Sequence, residues 1–462
     1  MSTLPRTGPS PEVTSVAQCV AWVAAGARAS ARRAVGTEYE RLVVGPDGRL
    51  LPYDGPVSIR SLLDRLADRH GWTRVLEDGC PVALTRGGAS ISLEAAGQLE
   101  CSGAPHATVA AMRDELAQHR AELADVSADL GVRFAWAGYN PADHLPATPV
   151  MPRERFALMR RIFPDRGTTG VAMLDFTCAV QVNLDFTDAA DCVEMVRLGH
   201  LLTPVLIALF ANSPLARGGA AAHRSHRASI WPTVDPARCG APPLVYERGA
   251  TLDDLVAWAW DVPMFFLAEA RADGTPGYVA LDRPLTFRRY VTDGHHGRRA
   301  TLADWELHVS TLYTDVRMRR QLELRQCDTV PPEALPALPA LAKGLFYDAD
   351  ARRRVLALLG DGDARLDRTA LRALACRDAL DGRVGDVRLR DLARETLAIA
   401  RAGLAALERT AGDASDGLSD PHAAASLECL DAIVAGDRPP FWERLAARWA
   451  AAPGLAGLAD PA

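Results

Sequence analysis

An α+β fold is predicted: an antiparallel sheet with one apolar and one polar face, and helices packed outside it. Three observations predict it. Four segments, around residues 35–44, 89–101, 177–186 and 316–328, alternate with period two, each sorting its residues into an apolar and a polar set. Helical periodicity lies between and after them. The polar sets also concentrate glutamates, at positions 38, 40, 94, 100 and 323.

Residues 1–12, rich in Pro, Ser and Thr, are expected to be disordered. A helix over 13–29 leads into the strand 35–44, where residues two apart point the same way. Glu38 and Glu40 therefore project together, their Cα atoms roughly 6.5 Å apart. Asp47-Gly48 signals a turn with a second short strand after it, a hairpin. Ile59, Leu62, Leu63 and Leu66 recur at the spacing of a helix over 58–70 lying on a sheet. Ser90, Ser92 and Glu94 share one face, and after the bend Ala95-Ala96-Gly97 the extended pattern resumes at Gln98-Leu99-Glu100-Cys101. Residues 105–130, opened by Pro105, read as a long helix. The run 177–186 separates most cleanly, with Cys178, Val180, Val182, Leu184 and Phe186 on the core side and Thr177, Ala179, Gln181, Asn183 and Asp185 opposite. A buried helix over 189–210 and an arginine-bearing loop over 212–229 follow. In 316–328, read as one strand, Val316, Met318, Leu322 and Leu324 face one way and Arg317, Arg319, Gln321, Glu323 and Arg325 the other. Beyond Tyr347 the pattern is helical, as at Leu389, Leu392, Ala393, Thr396, Ala400, Leu404 and Leu407. The helical region 347–450 is read as part of the same domain as 13–346, and 451–462 as a flexible tail.

Composition narrows the function. With 48% hydrophobic and 24% charged residues the chain is globular, and its net charge of −6 comes with acids and bases interspersed. That pattern disfavours nucleic acid and anionic membranes as partners and favours small molecules. Nine scattered cysteines, with no Cys-x-x-Cys and no His/Cys cluster at zinc spacing, read as reduced thiols and so as a cytoplasmic protein. The N-terminus lacks the pattern of a signal peptide. The most apolar run, 201–211, contains Pro204 and is about half the length that spans a bilayer, so no membrane segment is expected. His200 reads as a structural histidine with its hydrogen bonds satisfied, and His295-His296 as a solvated turn. P-loop, dinucleotide and nucleophile-elbow motifs are missing from the sequence.

A lone Glu-x-Glu is ordinarily a solvated strand face. Five glutamates on three such segments differ, because neighbouring strands would crowd like charges that stay ionised only beside a compensating cation. Oxygen ligands without thiolate or imidazole select Mg²⁺ or Mn²⁺. Gln181 and Asn183 add neutral oxygens, while Arg227, Arg317, Arg319 and Arg325 suit bidentate recognition of carboxylate or phosphate. Metal, arginine and an open polar sheet together suggest phosphoryl transfer.

Several longer motifs then carry a resemblance. Gly36-Thr37-Glu38-Tyr39-Glu40, Ser92-Leu93-Glu94-Ala95-Ala96-Gly97-Gln98-Leu99-Glu100-Cys101-Ser102-Gly103-Ala104-Pro105, Val180-Gln181-Val182-Asn183-Leu184-Asp185-Phe186, Phe210-Ala211-Asn212-Ser213-Pro214 and Asp261-Val262-Pro263-Met264 resemble glutamate–cysteine ligase of the plant/proteobacterial type. Order and spacing agree from about residue 14 to 350. The resemblance implies a glutamine-synthetase-like fold, in which a curved antiparallel sheet forms a funnel with metals on its inner face and helices outside. It implies ATP-dependent joining of L-glutamate and L-cysteine into γ-glutamylcysteine, with ADP and phosphate released, on the route to glutathione and related thiols.

By motif position the resemblance makes Glu38, Glu40, Glu94, Glu100, Gln181 and Glu323 the Mg²⁺ (or Mn²⁺) ligands or their close neighbours. Arg227 and Arg325 become the catalytic arginines. Arg227, Asn183, Trp231 and Phe265 become substrate contacts, with ATP as co-substrate and a monomer or homodimer as the assembly. One departure matters: the family reads Asp-Val-Pro-Met-Tyr-Phe where this chain has Phe265 before Phe266, so a hydroxyl expected at the cysteine carboxylate is missing. That leaves two alternatives open, a γ-glutamyl ligase using another amine in a specialised pathway and a non-catalytic Mg-nucleotide-binding relative. Cys101, in place of the family's Leu, reads as a small packing residue. Removing one like charge, by Glu38→Gln or Glu323→Gln, is expected to abolish ligation and leave the fold intact.

Overall fold

The computed structural model describes residues 10–143, 148–270, 276–360, 367–410 and 420–461. The main strands are β1 (Val35–Val44), β2 (Thr73–Glu77), β3 (Cys80–Arg86), β4 (Ala89–Leu93), β5 (Leu99–Ser102), β6 (Arg133–Ala135), β7 (Ala179–Leu184), β8 (Phe266–Ala270), β9 (Pro276–Ala280), β10 (Val316–Met318), β11 (Leu322–Asp328) and β12 (Ala459–Asp460). All but β8 and β9, which make a separate hairpin, join one antiparallel sheet in the order β10-β11-β7-β1-β5-β4-β3-β2, with β6 bridging β1 and β12. β1 is the organising strand: its first half lies between β7 and β5, and Leu42–Val44 pair with β6.

The even-numbered residues of β7 and the odd-numbered Tyr39 of β1 turn towards the main hydrophobic core, as the alternation predicts. There the helix Ala189–Phe210 packs against the hairpin β10–β11 so closely that a Cβ on Gly199 would stand 2.5 Å from Val316 Cγ2. The apolar run 201–211 is therefore the end of a 22-residue helix, long and apolar enough by length and composition to cross a membrane, with 89% of its most apolar window buried inside this protein. A second core lies between β3–β5 and the helices Ile59–His70 and Val109–Ala128. Ser58 and Thr108 cap these two helices through their hydroxyls.

Several expectations are corrected. The first helix spans only Val16–Ala24. The chain must leave it at Gly26, where a Cβ would meet the Arg320 carbonyl oxygen at 2.0 Å. The turn at Asp47-Gly48 yields a single Val44–Leu50 bridge instead of a hairpin, since the partners of β1 come from distant segments. Residues 316–328 are two strands, not one. The chain reverses at Arg319–Gln321, which sets Arg317 opposite Glu323 and preserves the alternation that a single strand would show. Of the expected disordered N-terminus, residues 1–9 lie outside the described residues, while Ser10 and Pro11 accept hydrogen bonds from the backbone N–H groups of Ala303 and Leu302. The expected loose tail contributes β12 to the sheet. His200 is buried with neither ring nitrogen hydrogen-bonded, and burial pushes it down to about 4, so it stays neutral.

The C-terminal helices dock through glycine. Ala337–Phe346 crosses Leu389–Thr410 where Gly344 faces the Ala400 carbonyl and Gly403 faces the Gly344 carbonyl, leaving 2.3 and 2.0 Å for an added Cβ. A methyl there must push two backbones apart. Gly403→Ala is expected to lower stability by about 1–3 kcal/mol, read as a lower urea midpoint at unchanged m-value. A wild-type midpoint would show that the crossing has slack.

Candidate active site

Strand register assembles the site. β5 sets Glu100 opposite Glu40 and Ser102 opposite Glu38, and β7 sets Gln181 opposite Glu38. With Ser92 of β4 opposite Glu100, one row reads Ser92–Glu100–Glu40 and the next Ser102–Glu38–Gln181. Paired strands are about 4.8 Å apart, so these carboxylates stand well inside mutual repulsion. Glu94 arrives from the bend after β4. Gly97, at φ +84°, closes that turn onto the Glu94 carbonyl, and the Gln98 side chain ties it to the Thr177 carbonyl. Only a residue that tolerates positive φ fits there, which explains the glycine.

The carboxylates share few neutral donors. Glu40 accepts from the Ala179 backbone N–H (2.7 Å) and the Gln181 amide (3.2 Å), Glu38 from Asn183 (2.7 Å), and Glu100 from Ser102 (2.9 Å) and Ser92 (3.3 Å). Burial, and then the repulsion of Glu100, push Glu40 up to about 7. Burial with Glu100 and Glu40 pushes Glu94 well above the ordinary carboxylate range, and burial with Glu323 and Glu100 raises Glu38. Without an added cation, then, part of the cluster holds protons at neutral pH.

Arginines line the same cleft from β10, β11 and the helix His226–Ile230. Arg317 grips Glu323 with Nη2 at 2.7 and 2.8 Å and Nε at 3.0 Å, and Arg325 bonds both Glu323 and the Gln181 oxygen. Against its burial, these two guanidiniums hold Glu323 well below the usual carboxylate range. Burial and the adjacent Arg325 pull Arg317 down to about 10. Arg227 begins the short helix His226–Ile230, capped by Ser225. Its backbone N–H donates to Ser213, and its Nη groups donate to the Arg325 and Gln326 carbonyls. Asp328 organises that corner by accepting from the Asn212 backbone N–H (2.8 Å) and the Ser213 (2.7 Å) and Ser225 (3.0 Å) hydroxyls, 3.8 Å from Arg227.

Of the residues singled out in the sequence, Glu38, Glu40, Glu94, Glu100, Gln181, Arg227, Trp231 and Arg325 line one cleft. Asn183 stands behind Glu38 as its hydrogen-bond donor. Glu323 pairs with Arg317 and Arg325 and is not among the cleft-lining residues, and removing it would leave the buried Arg317 and the half-buried Arg325 without that partner. The expectation that Glu323→Gln leaves the fold intact is therefore withdrawn. Phe265 is no cleft residue: it is buried behind Tyr313, edge-on to Phe163, with the Arg238 guanidinium 3.6 Å over its ring. The departure from the family's motif thus lies outside the cleft lining.

Sequence reasoning missed Arg155, Ser310 and Tyr313, and the apolar patch Phe156, Met159, Met173 and Leu174, all of which line the cleft. They come from helices and connections with no distinguishing pattern. Asp328 had a signal, a carboxylate on the core-facing set of a strand that already held Leu322 and Leu324. Cys101 is a packing residue as expected, its thiol pushed up to about 12 by burial, and all nine cysteines are free.

Comparison with known proteins agrees with this arrangement. The chain is 34% identical over 388 residues to the chloroplastic glutamate–cysteine ligase of Nicotiana tabacum, covering 83% of this chain and 73% of that one. To the Arabidopsis thaliana enzyme of the same name it is 34% identical over 389 residues, with 83% and 73% covered. Among solved structures, glutamate–cysteine ligase of Francisella tularensis, in complex with AMP, superposes with a TM-score of 0.51 at 14% identity over 92% of this chain and 86% of that one. A bifunctional glutathione synthetase of Pasteurella multocida gives 0.53 at 13% identity over 93% of this chain, which spans about half (51%) of that longer protein. These neighbours establish the glutamine-synthetase-like fold. The plant relatives overturn one expectation: they are named chloroplastic, so the cytoplasmic reading falls. Free thiols report a reducing environment without saying which compartment supplies it. A family model, glutamate-cysteine ligase family 2 (GCS2), matches residues 34–434, and on that match and these relatives the chain belongs to that family.

Proposed function

We propose that the chain joins the γ-carboxylate of L-glutamate to the amine of L-cysteine through γ-glutamyl phosphate, consuming ATP and releasing ADP and phosphate. One observation carries this reading: three buried carboxylates (Glu38, Glu40 and Glu100), the half-buried Glu94, Gln181, Arg227, Arg317 and Arg325 line a single cleft. A carboxylate is a poor acyl donor until its oxygen carries a phosphoryl group, and transfer of that group calls for cations on both sides.

The donor set fits Mg²⁺ or Mn²⁺. Glu38, Glu40, Glu94 and Glu100 supply oxygen only, and the upward shifts of Glu38, Glu40 and Glu94 mark uncompensated negative charge. The metal would neutralise the ATP phosphates and screen the transferring group. Arg325, fixed between Gln181 and Glu323, would neutralise the γ-phosphoryl oxygens, and Arg227, fixed by Ser213 and two carbonyls, would neutralise the acyl phosphate and the oxyanion that follows. Arg155, held by Ser310, and the Tyr313 phenol suit an amino-acid α-carboxylate at the other end. Beside them Met159, Met173, Phe156 and Leu174 favour a small soft side chain such as a thiol methylene over a charged one. Glu323 serves as a positioning residue for both arginines.

A panel of amines tested for ADP release with glutamate and Mg-ATP is expected to show cysteine as the best acceptor. ADP release equal to that of the amine-free control with every amine, despite tight Mg-ATP binding, would favour the non-catalytic reading. Glu323→Gln is expected to destabilise the fold by about 3–5 kcal/mol, as removal of one partner from a buried ion pair does, whereas Glu94→Gln raises the Tm of the metal-free protein. A loss of stability in both variants would contradict the division of roles. Phe265→Tyr is expected to leave the KM for cysteine unchanged and to act on stability alone; a clear fall in KM would return that residue to the cleft. Because the shifts of Glu38, Glu40 and Glu94 are upward, their stabilising contribution is complete below about 4.5 and, for Glu40, is lost as pH rises through about 7. The Tm of metal-free protein should fall across that window, and the increment given by Mg²⁺ should grow with it.

A further inference from the structure

Away from the cleft, and among the described residues, one group of side chains has the donor set of a metal centre. Asp282 lies in the connection between β9 and the helix Phe287–Asp293, and His295 and His296 form the turn that follows that helix. One donor atom from each residue lies within 4.8 Å of the other two. His296 Nε2 is 3.0 Å from Asp282 Oδ2, and His295 Nε2 is 3.5 Å from Oδ1. Around a single tetrahedral ion with bonds of roughly 2.0–2.1 Å, donor atoms stand about 3.3–3.4 Å apart. The two histidine–aspartate separations, each to a different carboxylate oxygen, lie on either side of that value.

A second observation is independent of this spacing. The His295 side chain is only 1% exposed, yet its Nδ1 has no hydrogen-bond partner and its Nε2 is too far from Asp282 for a good one. The sequence suggested a solvated turn, which holds for His296 but not for His295. Buried polar groups are nearly always satisfied, and each exception asks for an explanation such as an ion. A cation among the three residues would give Nε2 a ligand bond and leave Nδ1 as the ring's N–H. His296, at φ +47°, sits in the left-handed region beside it, the two rings 4.3 Å apart.

We propose that Asp282, His295 and His296 form a binding site for a borderline transition-metal ion of the Zn²⁺ class. Two imidazoles and one carboxylate select such an ion over the Mg²⁺ suited to the oxygen-only cleft. Arg283 and Arg298 lie close enough to His295 to interact with its charge, which limits affinity. The ion would act as a structural clasp. The Asp282 connection also carries Leu285 and Thr286, which pair with Met264 and Pro263 immediately before Phe265, the residue packed behind Tyr313. Closing the triad would fasten the His295 turn to the segment that supports that wall.

The test is titration of metal-stripped full-length protein with ZnCl₂ in saturating Mg²⁺, read by calorimetry and by Tm. One zinc per chain and a raised Tm are expected for the wild type. His296→Ala and Asp282→Asn, both at exposed positions, should weaken binding at least about tenfold and abolish the Tm increment. Their zinc-free ligase activity should match wild type. Absence of saturable binding to the wild type, or equal binding by both variants, would overturn the proposal. Neither readout depends on ligation, so the site stands or falls separately from the proposed reaction.

Discussion

Burial of like charge is the constraint on which the rest of this molecule depends. Glu38, Glu40 and Glu100 share one face of β1 and β5 and are buried, and the half-buried Glu94 leans in from a glycine turn. Such a cluster persists only where the remaining structure pays its electrostatic cost. The surroundings answer in kind, with amide and hydroxyl donors on the neighbouring strands and arginines lining the same cleft.

The arginines raise the converse difficulty, since buried cations also resist desolvation. Glu323 and Asp328 resolve it by different means. Glu323 takes two guanidiniums directly, whereas Asp328 spends its oxygens on Asn212, Ser213 and Ser225 and so fixes the loop from which Arg227 projects. One carboxylate tunes charge and the other sets geometry. Both lie at or near the β11 end of the sheet, where the Arg319–Gln321 reversal returns the chain and brings Arg317 across from Glu323.

The same sheet separates the chemistry from what holds it still. Its other face is filled by the helix Ala189–Phe210 and by C-terminal helices crossing at Gly344 and Gly403, so that the charged face is backed by close-packed apolar material. Fixed dipoles and charges stabilise a transition state because they need not reorganise, and a rigid backing is what keeps them fixed.

Much of this was legible in the sequence. Period-two alternation identified β1, β4, β5 and β7 and sorted Glu38, Glu40, Glu94, Glu100 and Gln181 onto one face, because strand geometry is local and side chains alternate without reference to partners. A buried helix over 189–210 was also expected, its second half lying in the most apolar run of the chain. What the sequence left open depended on which distant segments meet. The same alternation fits one strand or a tight hairpin, so it did not show that Arg317 pairs with Glu323. Phe265 occupies a position that matters by its place in a motif, yet its ring is turned away behind Tyr313. Arg155, Tyr313 and Ser310 reach the cleft from elements without any pattern of their own. Local chemistry thus determined that this chain would build a carboxylate-rich sheet face. Only long-range packing decided which arginines neutralise it, which aromatic rings line it and which histidine is buried far from it, because those relations exist between segments and not within them.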